Sequence, residues 1–126
     1  MKNEEFDTIE FIDENSVIAQ YECVYIKDGT MHAVSIPSFD IHFSSPNTDD
    51  IPRRANIMVK AFFRYWFEKR GREDLIEEIH RLGFVSKRKQ IPTESIFNIY
   101  YDDIMLNMGY KDAPSTRLTT ELALSE

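Results

Sequence analysis

The chain has 126 residues, a formal charge of −7, 42% apolar and 13% aromatic content, and a pI of about 5.0. That length and apolar fraction suffice for one hydrophobic core and exclude global disorder, while the acidic balance opposes nucleic acid or anionic membrane unless the cations gather on one face. Cys23 is alone, which excludes an intrachain disulfide and any CxxC metal or redox motif.

The opening segment, MKNEEFDTIE, lacks the basic-then-apolar order of a secretion signal, and no apolar run approaches the ~20 residues that span a bilayer. A soluble, reduced, cytoplasmic protein is expected. Residues 1–15 carry Glu4, Glu5, Asp7, Glu10, Asp13 and Glu14 against Lys2, and read as a frayed start or an edge strand.

The first firm element is a hairpin. SVIAQYECVYI is rich in β-branched and aromatic residues, with Val17, Ala19, Tyr21, Cys23 and Tyr25 alternating onto one face. Asp28-Gly29 suits a two-residue type I′ loop, which sets Tyr25 opposite His32, Cys23 opposite Val34 and Tyr21 opposite Ile36. Pro37 ends the second strand because it cannot donate to a ladder. DIHFS, with Ile41 and Phe43 alternating against His42, reads as a short third strand.

After the polar loop SSPNTDD, a helix is predicted over residues 50–70. Asp49 or Asp50 caps it, Pro52 falls in its first turn, and Lys69 and Arg70 precede the stop at Gly71. A second helix is predicted over 73–82, with Leu75, Ile76, Ile79 and Leu82 on one side. Gly83 then takes the left-handed position of a Schellman motif, and Phe84 reaches back to Ile79. VSKRKQI reads as a fourth strand with a basic middle. The pattern from Thr93 to Gly109 is read as a helix, and residues from Lys111 onward as a mobile end. The predicted fold class is α+β: a mainly antiparallel sheet of three or four strands with helices on one face, ordered β-β-β-α-α-β. Residues 1–92 form that domain and 93–126 a helical extension or arm.

The first helix contains AFFRYWFEKRG, with five aromatics in the six positions 62–67. At about 100° per residue, Ile51, Ala55, Met58, Val59, Phe62, Tyr65 and Trp66 share a core-facing stripe. Arg53, Lys60 and Arg64 gather opposite. Phe63 and Phe67 flank this basic strip and are surplus to the stripe. Either the second helix and the tail cover them, or they form a partner-binding patch of Phe63, Arg64, Phe67 and Arg70, since aromatics and Arg are enriched at interfaces. Base stacking fits less well, because stacking aromatics sit on sheets or open grooves and the chain is acidic.

No site chemistry emerges from the remaining motifs. His32, His42 and His80 lack H-x-x-x-H or Cys/His spacing, so no metal is expected. Four glycines leave no phosphate-binding loop, and no cofactor is expected. Asp49-Asp50 fits a helix start, and Asp102-Asp103 a solvated face. Ser44, Ser45 and Ser95 lack a G-x-S-x-G context. No catalytic residue is assigned, and the chain is read as a non-enzyme.

VSIPSFDIHFSSPNTDDIPRRA and LIEEIHRLGF carry a resemblance. The first resembles the strand, Pro-containing turn, short strand and helix entry of the HicB-like family, the antitoxin half of HicA–HicB toxin–antitoxin pairs. Ile36, Pro37, Phe39 and Ala55 occupy the expected positions, and the second segment resembles that family's second helix and Leu-Gly-aromatic ending. The likeness runs over residues 18–91. It implies a partial ribonuclease-H-like fold without catalytic carboxylates, self-association as a homodimer, and binding to a protein partner, a small basic RNA-cleaving toxin. The usual turn glycine is absent near His42. The family's DNA-binding forms append a DNA-binding module, whereas residues 93–126 set Glu94, Asp102, Asp103, Asp112, Glu121 and Glu126 against Lys111 and Arg117; that balance is wrong for phosphate contacts. The alternatives are a nucleic-acid-associated regulator using Arg53, Lys60, Arg64 and the SKRK strand, and an orphan ribonuclease-H-like module.

Overall fold

The computed structural model describes residues 6–13, 15–86, 96–100 and 113–123. Its longest strand, β2 (Ser16–Asp28), organises the rest. Thirteen extended residues reach about 40 Å, enough to serve three neighbours. β1 (Phe6–Asp13) pairs with residues 16–20, β3 (Met31–Ile36) with 24–28, and β7 (Ser115–Ala123) with 16–24. β4 (Ile41–Ser45) extends the sheet beyond β3; β6 (Ile96–Tyr100) and β5 (Val85–Ser86) extend it beyond β1. Every pairing is antiparallel. The helices α1 (Ile51–Lys69) and α2 (Arg72–Leu82) bury their apolar sides in the core with Val17, Ala19, Tyr21 and Cys23 of β2. The predicted α+β class, an antiparallel sheet with helices on one face, is what the chain adopts.

The hairpin keeps its predicted faces in a different register. Tyr25 pairs with Val34, and the loop is Gly29-Thr30. Gly29 takes a φ of 66° while Thr30 is not in positive-φ space, a type II′ arrangement in which glycine belongs at the first loop position. The pairing therefore slides by two residues. An even shift leaves each side chain on its own face, so Tyr21, Cys23, Val34 and Ile36 are buried as expected.

Larger differences lie at the chain's two ends. Residues 6–13 of the acidic N-terminal segment form an interior strand, β1, held between β2 and β6; residues 1–5 and 14 lie outside the described residues. Residues 96–100, predicted helical, are strand β6, whose β-branched and aromatic content finds the open edge of β1. Residues 115–123, expected to be mobile, are strand β7, matched to β2 over nine positions. The predicted helical arm thus contributes two strands to the same sheet. Residues 87–91 of the basic strand, and 93–95 and 101–109 of the predicted helix, lie outside the described residues.

α2 ends in the predicted Schellman motif: Gly83 N–H donates to His80 O at 3.0 Å and Phe84 N–H to Ile79 O at 3.2 Å. Gly83 has a φ of 113°, and a Cβ there would stand 2.8 Å from Ile99 Cδ1. Gly83→Ala is therefore expected to destabilise the fold by ~1–2 kcal/mol through backbone strain, with the Ile99 contact adding to it. A urea midpoint equal to the parent's would contradict this.

Candidate interaction surface

The aromatic run on α1 is largely consumed by the core. Its fully buried residues are Ile51, Ala55, Val59 and Phe63, a ladder stepping by four. The expected stripe is thus rotated towards Phe63, Tyr65 is 52% exposed, and Met58, Phe62 and Trp66 are only partly buried. The cause is α2, which folds back through Gly71 and brings Leu75 and Ile79 into the same core. Phe39, in the turn Pro37–Phe39, is the hub: the rings of Tyr21, Phe62, Phe63 and Phe84 stand 5.2–5.9 Å from it.

Of the four residues assigned to partner binding, Phe63 is therefore unavailable, since its ring is fully enclosed. Phe67 is half-buried against the core. Arg64 and Arg70 are exposed. Arg70 stacks over Trp66, with the guanidinium carbon 5.9 Å from the ring centre, within the range of a cation–π contact. Around that contact lies an open groove of about 410 Å³ between the end of α1 and α2, lined by Trp66, Arg70, Asp74, Glu77, Glu78 and Arg81. Glu78 and Arg81 form an ion pair one turn apart. The sequence pattern had placed Trp66 in the core; the rotation of α1 brings part of it to this surface.

The proposed basic strip is weaker than the sequence indicates. Arg53 Nε and Arg54 Nε stand 2.8 and 2.6 Å from the Asp50 carboxylate. Those hydrogen bonds hold the Asp50 carboxyl down at about 2. Asp50 precedes α1 as expected, yet its side chain serves the two arginines and makes no capping hydrogen bond. Lys87, Arg88 and Lys89 of the SKRK segment lie outside the described residues.

Two polar clusters were not anticipated. Where β2 passes from its β1-paired stretch to its β3-paired stretch, the Glu22 N–H donates to Asp7 Oδ2 at 3.2 Å. Ser38 Oγ donates to the same oxygen at 2.7 Å, and Arg117 Nη2 lies 3.2 Å from Asp7 Oδ1. Arg117 Nε is 3.4 Å from Glu22 Oε1, and Ser115 Oγ donates to Glu22 Oε2 at 2.7 Å. Burial drives the Asp7 carboxyl up to about 6, with the hydrogen bonds from Ser38 and Glu22 and the charge of Arg117 opposing. Its sequence signal was the alternation of Thr116, Leu118, Thr120 and Leu122 with Arg117, Thr119 and Glu121, which marks a strand. The second cluster runs along β3 and β4: Ser35 Oγ to His42 Nδ1 at 2.9 Å, and His42 Nε2 to Asp40 Oδ1 at 3.1 Å. Here Ser35 is buried, whereas Asp40 and His42 are exposed. A nucleophilic serine needs the opposite arrangement, an accessible hydroxyl and a sheltered acid.

Among the described residues, no three His, Cys, Asp or Glu side chains converge as a metal site, and no helix is long and apolar enough to cross a membrane. Burial pushes the Cys23 thiol up to about 12, which leaves it protonated and inert. His32 pairs with Lys27 and not with Tyr25 as the expected register had it, yet its ring still meets Tyr25 edge-on from the diagonal position. Asp102-Asp103 and Ser95 fall outside the described residues. No family model, curated protein or solved structure matches the chain.

Proposed function

We propose that the chain is a non-enzymatic interaction protein that binds a small basic protein partner, as a HicB-like antitoxin binds its RNA-cleaving toxin, and self-associates as a homodimer. The observation carrying this reading is the groove beside α2. It joins the accessible part of Trp66 to three carboxylates, on a chain whose net charge is −7. Aromatic and charged groups around a concavity fit a protein interface, and the acidic balance favours a basic partner through long-range attraction. The two helices on one face of an antiparallel sheet accord with the resemblance carried by the Pro37 turn and the LGF ending.

Co-expression with the short basic product encoded beside its gene tests this. The two are expected to co-elute, and the chain to relieve the growth arrest that the product causes alone. An unrelieved arrest with separate elution, or no such neighbouring frame, would overturn the reading. Light scattering on the free chain should return twice the 14.9 kDa monomer mass; a monomer would remove the self-association.

The nucleic-acid alternative finds less support. Asp50 pairs with both Arg53 and Arg54 and offsets one of their two charges, which leaves Lys60 and Arg64 as the cations of the strip on α1 with no ion pair among the described residues. Phosphate binding needs several uncompensated cations on one face.

A further inference from the structure

One wall of the groove is a cation already stacked on its ring. Arg70 leaves the end of α1 and lies over Trp66, while Asp74 and Glu77, one turn and a little less apart along α2, make no ion pair among the described residues. Glu78 and Arg81 satisfy each other. The side-chain charge of the groove outside that pair is thus that of Asp74, in the first turn of α2, and Glu77, set against Arg70, beside a ring face that already accepts a guanidinium.

We infer that this groove is a seat for a cationic side chain, an arginine above all, of the partner: its guanidinium lies over the Trp66 ring and its donors meet the carboxylates of Asp74 and Glu77. Arg70 holds the seat in the free protein and is displaced on binding. The inference deepens the partner-binding reading above and rests on it. Arginine fits better than lysine because a planar guanidinium can stack on the indole and present donors to two carboxylates together. An acidic partner segment is disfavoured by Asp74, Glu77 and Glu78 alike.

Arg70 makes the proposal testable in an unusual direction. If it competes for the seat, removing it must strengthen binding, because a competitor that fills a site lowers apparent affinity by the fraction of time it occupies it. Trp66 is the sole tryptophan of the chain, so its fluorescence reports the groove directly. Titration with a hexa-arginine peptide amide, followed by Trp66 emission and by calorimetry, is expected to give saturable binding with an emission shift. Hexa-glutamate should give none. Glu77→Lys and Asp74→Lys should each weaken hexa-arginine binding about tenfold, as loss of a charge-assisted contact at a stacked cation predicts. Glu121→Lys makes the same charge change on exposed β7 and should weaken it less than about threefold, as a remote, screened charge does. Arg70→Ala should tighten binding severalfold.

Absence of binding would overturn the seat. So would an equal loss in Glu121→Lys and Glu77→Lys, which signals diffuse attraction to an acidic protein, or an Arg70→Ala variant that binds no more tightly than the parent. These results are separable from the co-expression test. A complex with the folded partner and no peptide binding would retain the interaction reading and remove the seat; peptide binding without that complex would do the reverse.

Discussion

Phe63→Ala is expected to lower the unfolding free energy by about 3–5 kcal/mol, the usual effect of emptying a large aromatic site in a packed interior. Phe63 is fully buried, and its ring stands 5.8 Å from Phe39 and 5.2 Å from Phe62 in edge-on arrangements, each adding to simple area burial. The neighbouring Arg64→Ala, at an exposed position with no tertiary partner among the described residues, should change stability by less than about 0.5 kcal/mol. The pair distinguishes core from interface. If Phe63 belonged to a binding surface, its replacement would leave the urea midpoint near the parent's and alter the mass in light scattering. The expected result is a large loss of stability with the oligomeric mass unchanged at low denaturant.

A helical wheel gives a face, but its centre depends on what packs against it. α1 meets both the sheet and α2, and the second contact turns the buried line towards Ile51, Ala55, Val59 and Phe63. Local signals were legible wherever a short-range rule decides the geometry. The Gly83 cap and Phe84 came out as the left-handed preference of glycine requires, and the face of β2 followed from alternation. The hairpin loop lies one residue beyond Asp28-Gly29 because Asp28-Gly29 and Gly29-Thr30 are both acceptable two-residue turns. Non-local pairing was the part that could not be read. Whether 96–100 is helix or strand depends on the edge that β1 offers, since Ile, Phe and Tyr serve in both states. The alternation in 115–123 was visible, yet its value depends on a β2 edge more than ninety residues away in sequence. The groove shared this fate: Trp66 and Arg70 belong to one helix and Asp74 and Glu77 to the next, and only the fold back through Gly71 sets them around one concavity.

Arg117→Met should destabilise the protein by several kcal/mol at pH 7.5, and by distinctly less at pH 5. Arg117 is the cation that faces both Asp7 and Glu22, at 3.2 and 3.4 Å. Removing one partner from a buried charge group typically costs ~3–5 kcal/mol, because what remains is uncompensated; the quarter of the Arg117 side chain that reaches water argues for the lower end. The pH dependence follows from Asp7. Its folded-state value near 6 exceeds the ordinary 3.8, so between those values the folded chain retains a proton that the unfolded chain has released. The resulting stability is fully present below about pH 4 and is lost as pH rises through 6, a span worth on the order of 3 kcal/mol at about 1.4 kcal/mol per unit. At pH 5, Asp7 is mostly neutral in the fold, and losing Arg117 removes less. At pH 7.5 Asp7 is charged and sheltered, so the same substitution is felt in full. Asp7→Asn provides the companion measurement. It cannot titrate, so its stability should lose the fall between pH 4 and 6.5 that the parent shows, whatever its absolute cost from setting an amide donor against Arg117. Chemical denaturation of the parent and both variants across that range decides the matter: parallel pH profiles for the parent and Asp7→Asn would mean that Asp7 is ionised throughout and that the junction of β1, β2 and β7 is held by a simple ion pair.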